Sequence, residues 1–113
     1  MITIYHNPRC SKSRQTLELL KKKGIEPQVN LYLENPPSIE SLTDILHKLG
    51  LEAHQLVRKS EAFYKESLKG VEITNQQLIE VMVENPKLIE RPIVVAGNRA
   101  ALGRPPEAVL EII

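Results

Sequence analysis

The chain has 113 residues, a formal net charge of +1 and one cysteine, Cys10. A domain of this length holds together without a metal or a disulfide, and near-zero charge gives no overall pull toward nucleic acid or an anionic membrane. One cysteine excludes a disulfide framework, an internal dithiol cycle and a cysteine-only zinc site.

Residues are 42% hydrophobic and 26% charged, the composition of a soluble globular protein, and one domain spanning 1–113 is expected. Residues 2–5 alternate and are β-branched or aromatic, which predicts a strand. His6-Asn7-Pro8-Arg9-Cys10-Ser11 is turn-rich. Ser11 to Lys23 reads as a helix with Leu17 and Leu20 on one side, lysines at its end and Gly24 closing it. Residues 28–33 alternate again and predict a second strand, broken by Asn35-Pro36-Pro37.

Ser38 is the expected N-cap of a helix carrying Leu42, Ile45, Leu46 and Leu49 and closed by Gly50. Residues 52–70 read as short helical pieces. Thr74-Asn75-Gln76-Gln77 fits a capping box, and Asn85-Pro86 ends the helix that follows. Ile93–Ala96 predicts a short buried strand. Gly97-Asn98 turns the chain into a return strand over Arg99–Leu102. Pro105 is expected to open a last helix with Val109, Leu110 and Ile112 on its apolar side. The fold class is α/β: helices on a small mixed sheet, with a helical stretch inserted.

Met1-Ile2-Thr3-Ile4-Tyr5-His6 has neither a charged leader region nor a long apolar run, so no signal peptide is read there. No stretch approaches about 18 consecutive apolar residues, so no membrane span is expected. A reducing, cytoplasmic setting follows as the expectation. There a lone cysteine is either a small buried hydrophobe or a reactive thiol. Cys10 stands between Arg9 and Ser11, at the junction of a strand and a helix. Helix N-termini favour negative charge, and Arg9, Lys12, Arg14 and His6 are close in sequence. These neighbours favour the reactive thiol. Cys10-x-x-Ser13 is a redox spacing with its second sulfur replaced by a hydroxyl. Serine resolves no disulfide but can hydrogen-bond a thiolate, so a second thiol would have to come from another molecule. The residue six after Cys10 is Thr16, not the arginine of a cysteine-phosphatase loop.

His6-Asn7-Pro8-Arg9-Cys10-Ser11-Lys12-Ser13-Arg14 resembles the active-site signature of the glutaredoxin-coupled arsenate reductases, a family of thioredoxin-like fold. Leu31–Pro37, Leu56-Val57-Arg58-Lys59, Arg91–Val95 and Gly103-Arg104-Pro105 match it too, in order and along essentially the whole chain. The resemblance implies that Cys10 is the nucleophile and that His6 supports it. It implies that Arg58, Arg91 and Arg104 hold the oxyanion, and that Pro92 is the cis-proline beside the cysteine. Arsenate is then the substrate, reduced to arsenite with glutathione as co-substrate and glutaredoxin as partner, with no tightly bound cofactor and no metal. Arg9 and Lys12 depart from the smaller residues of plasmid-type members.

Other readings stand beside these. Without the resemblance, Arg58 and Arg91 read as surface salt-bridge partners of Glu61 or Glu90, and His6 has a plain turn reading beside the functional one. Arg104 is poorly placed to shield a helix start, where cations are unfavourable. His47, His54 and Lys21-Lys22-Lys23 read as solvated. A glutathione-dependent thiol reductase would keep Cys10 without needing three arginines. A non-enzymatic regulator docking on RNA polymerase shares an Arg-Pro-Ile segment, but many such proteins carry C-x-x-C where this chain has Ser13.

Overall fold

A computed structural model describes all residues, Met1–Ile113. The chain divides into two compact units, one of residues 1–35 and 91–113, the other of residues 36–90. The first is a sheet with helices and the second is the helical insertion.

In the first unit, β1 (Ile2–Tyr5), β2 (Gln28–Asn30), β3 (Ile93–Ala96) and β4 (Arg99–Leu102) form one mixed sheet in the order β2-β1-β3-β4. β1 and β2 are parallel, as the helical crossover between them requires. β3 is antiparallel to both β1 and β4, with the Gly97-Asn98 turn joining the last two. This is the thioredoxin-like arrangement. Its register decides the site. Tyr5 at the end of β1 faces Ile93 at the start of β3, and Ile93 faces Leu102 at the end of β4. The chain after β1, the chain before β3 and the chain after β4 therefore share one end of the sheet.

Helix α1 (Ser11–Lys22) covers one face of that sheet. Leu20 packs with Ile4, Val94 and Val109 in a cluster from which water is excluded, and Ile2, Leu17, Leu19 and Ile25 lie against it. Gly24, at φ +78°, takes the left-handed position just past the helix end. Two elements differ from expectation. The second strand stops at Asn30, because the amides of Glu34 and Asn35 turn back onto the Leu31 carbonyl, each at 2.9 Å. Tyr32 is buried in that turn while Leu33 faces solvent, so the apparent alternation was made by a turn and not by a pleat. The last helix is a 3-10 helix over Pro106–Glu111. Pro105 precedes a proline, which disfavours helical backbone, and it stays extended as the cap.

In the second unit, α2 (Ile39–Leu49), α3 (Ala53–Leu56) and α4 (Asn75–Glu84) are joined by a π-helical turn at Tyr64–Leu68, and α4 packs on α2 and α3. Leu42, Ile45, Leu46, Leu56, Leu78, Ile79 and Met82 are buried. The caps read from the sequence are present. Ser38 Oγ accepts from Ser41 N at 3.1 Å, and Gly50 takes φ +70°. Thr74 Oγ1 accepts from Gln77 N at 3.1 Å while Gln77 Oε1 accepts from Thr74 N at 3.0 Å. Thr74→Ala leaves the Gln77 amide at the start of α4 without its acceptor and is expected to cost about 1 kcal/mol. A lower urea midpoint at unchanged slope would show it.

Candidate active site

The site begins where β1 gives way to α1. The Cys10 amide donates to Asn7 O at 3.0 Å, and the Arg9 amide to Asn7 Oδ1 at 3.0 Å, which folds residues 7–10 into a tight turn. Arg14 Nη1 ties the turn to the helix through Pro8 O at 3.0 Å. Cys10 is the N-cap of α1: its backbone is extended and its carbonyl accepts from Arg14 N at 3.0 Å. The sulfur is thereby placed at the positive end of the helix, and residue 10 is only 9% exposed.

Burial pushes the Cys10 thiol up. The backbone N–H of Ser13, the charge of Arg91, the N–H of Lys12 and a hydrogen bond from the Arg91 side chain act the other way, and the net result lies below the ordinary value. Arg91 is itself only 7% exposed. Arg104 Nη1 lies 4.0 Å from Cys10 Sγ and donates to Arg91 O at 3.2 Å. Arg104 takes part in neither the Lys48–Asp44 nor the Arg58–Glu61 ion pair. Two guanidinium groups beside one thiol favour its ionised form and make its surroundings attractive to an anion. The Arg91–Pro92 bond is cis, and so is Arg104–Pro105.

Ser13 and His6 form a second layer. Ser13 Oγ lies 2.6 Å from His6 Nδ1 and accepts from Asn7 N at 3.0 Å. The expectation that the Ser13 hydroxyl bonds the thiolate is corrected here: the hydroxyl is taken by His6 and Asn7, and it is the Ser13 backbone N–H that serves the sulfur. Burial, with Lys21 and Arg14, holds His6 below its ordinary value, so its ring is neutral near pH 7. Arg58 lies in the helical unit, where its Nη1 pairs with Glu61 Oε2 at 3.1 Å. No group of three or more His, Cys, Asp or Glu side chains is arranged to hold a metal ion, and no helix is long and apolar enough to cross a membrane.

A model of the ArsC family matches residues 5–112. The chain belongs to the ArsC family. It is 46% identical to an arsenate reductase of Haemophilus influenzae, across 99% of this chain and 98% of that protein. It is 55% identical to the uncharacterized Escherichia coli protein YfgD, across 99% and 96% respectively. The solved structure of an arsenate reductase from Vibrio cholerae superposes with a TM-score of 0.95 at 52% identity, covering 99% of this chain and 97% of that one.

Two residues of this ArsC-family site escaped the sequence reading. Thr16 is fully buried one turn beyond Ser13, and Gly103 touches it just before Arg104. A signal was there: Ser13, Thr16 and Leu20 form the buried stripe of α1, so two hydroxyls occupy core positions on the cysteine side. Apolar side chains are the usual markers of a buried helix face, and here two of its three positions carry hydroxyls instead.

The His6 shift makes stability pH-dependent. The unfolded chain takes up a proton near pH 6.5 while folded His6, held lower, does not. Its contribution is therefore present above that value and lost as pH falls toward the folded one. Urea midpoints should drop between about pH 7 and 5, with a flatter profile in His6→Gln.

Proposed function

We infer that this protein reduces arsenate to arsenite, with Cys10 as nucleophile and with glutathione and glutaredoxin supplying the electrons. The observation that carries this reading is the placement of Arg91 and Arg104 on one buried thiol at a helix N-terminus. A thiolate meets charge repulsion from a doubly charged tetrahedral oxyanion, and two guanidinium forks offset that charge while orienting the oxygens. The arsenate reductases among its relatives support the choice of oxyanion.

Cys10 Sγ attacks arsenic, an S–As bond forms, and an arsenate oxygen leaves as water after protonation. A glutathione thiol then adds to arsenic, displacing a second water. A glutaredoxin thiolate attacks the glutathione sulfur, and the S–As bond to glutathione breaks with its electron pair left on arsenic, which passes from As(V) to As(III). Water releases arsenite and returns Cys10 as a thiol. The two external thiols end as a mixed disulfide, which accounts for both electrons. With one cysteine in the chain, no internal thiol takes part in this second half.

The role of His6 follows from the Ser13 contact: the neutral ring fixes the Ser13 hydroxyl and, through it, the turn whose N–H groups face the sulfur. Pro92 lies between Arg91 and β3 and is buried with them. Arg58 is retained as a third oxyanion ligand on the family resemblance alone. The small, charge-balanced chain fits a cytoplasmic enzyme that holds no cofactor between turnovers.

Arsenate turnover, measured with glutathione, glutaredoxin and NADPH-driven recycling of the oxidised glutathione, is expected for the wild type and should vanish in Cys10→Ser. Equal rates in the two would refute the reading. Reduction of glutathionylated substrates without arsenate turnover would point instead to a thiol reductase. Arg104→Ala should lower kcat/KM for arsenate by about ten- to a hundredfold, the scale of a lost charge-assisted hydrogen bond.

A further inference from the structure

Four of the five glycines, Gly24, Gly50, Gly70 and Gly97, have positive φ and open space where a side chain would go. Gly103 differs in both respects. A Cβ built on it would lie 2.6 Å from Thr16 Oγ1, 2.7 Å from Pro92 Cγ and 3.2 Å from Thr16 Cγ2. The first two are closer than real Cβ contacts allow. Gly103 is therefore glycine for reasons of contact and not of backbone conformation.

The atoms that fill this space lead to Cys10 by two routes. On one side, Thr16 Oγ1 donates to Lys12 O at 2.8 Å. That carbonyl belongs to the peptide whose N–H is Ser13's, the group that contributes most to holding the thiol down. A hydrogen bond accepted at the oxygen of a peptide strengthens its N–H as a donor. On the other side, the Gly103 amide donates to Pro92 O at 2.8 Å. This holds Gly103 on the residue that follows Arg91. The next residue, Arg104, reaches both Arg91 O and Cys10 Sγ.

We propose that Gly103 is a positioning residue for Cys10: its bare Cα lets the Thr16 hydroxyl stay on the Lys12 carbonyl and keeps Arg104 beside the sulfur. The inference rests on the reading of Cys10 as the nucleophile. Adding a methyl group at 103 forces Thr16 or Pro92 away, and either movement loosens one of the two routes. The charged and titratable groups around the sulfur, namely Arg91, Arg104, Lys12 and the His6–Ser13 pair, are unchanged in type by the substitution.

The test is the pH dependence of Cys10 alkylation by iodoacetamide in the wild type, Gly103→Ala and Thr16→Val, with a thermal melt of each. Thr16→Val keeps the side-chain shape and removes the hydroxyl, so it stays informative if Gly103→Ala fails to fold. The expected result is an inflection about one unit higher in Gly103→Ala, which means about tenfold less thiolate at a pH below both inflections. A smaller upward shift, about half a unit, is expected in Thr16→Val at an unchanged melting temperature. A purely structural role would lower the melting temperature of Gly103→Ala and leave both inflections at the wild-type value. Either folded variant with the wild-type inflection overturns the proposal. The readout needs no arsenate, glutathione or glutaredoxin, so absence of arsenate turnover would refute the reductase reading without altering these profiles.

Discussion

A thiolate largely withdrawn from water is unstable unless positive charge and N–H donors replace the lost hydration. Cys10 meets that requirement with the first amides of α1 and with Arg91, while Arg104 Nη1 lies 4.0 Å from the sulfur. Around this compensation the rest of the sheet unit is arranged. The same groups that make the buried sulfur tolerable as an anion also make its surroundings attractive to one. A lowered thiol pKa and a local attraction for anions are thus two consequences of one electrostatic arrangement.

The sheet supplies the geometry. β1 is central, parallel to β2 and antiparallel to β3, so the loop leaving β1 and the segment entering β3 meet at one end. β4 returns its end to the same place. Cys10, Arg91 and Arg104, separated by as much as 94 positions in sequence, are brought together by three strands of a few residues each. Leu20, Ile4, Val94 and Val109 hold α1 on the sheet and so keep its N-terminus aimed at that end. Gly103 lies where helix, cis-proline segment and strand end close on one another and leave no room for a Cβ.

Much of the architecture was legible because its signals are local. Ser38, Thr74 and Gln77 mark helix starts through side-chain oxygens that accept from amides three residues away, Gly50 marks a helix end through its left-handed backbone, and the prediction and the structure coincide there. The Gly97-Asn98 hairpin and the helix break at Asn85-Pro86 are equally local. The misread elements had ambiguous local signals. Leu31-Tyr32-Leu33 alternates like a strand but forms a turn around one buried tyrosine. Pro105-Pro106 reads as a helix start, yet the second proline holds the first in extended backbone.

By itself the sequence determined that one cysteine sits at a strand-to-helix junction among cations, and that any chemistry needing a second thiol must borrow it. Those statements depend on composition and near neighbours. Only the tertiary structure decided which arginines reach the sulfur, since Arg91 and Arg104 become its neighbours through strand register, whereas Arg58 is seen paired with Glu61. It also decided that the Ser13 hydroxyl belongs to His6, and that Gly103 is a contact and not a turn. The physical reason is the same in each case: a hydrogen bond or a steric limit between residues far apart in the chain leaves no trace in local propensity, and exists only once the core has fixed the distances.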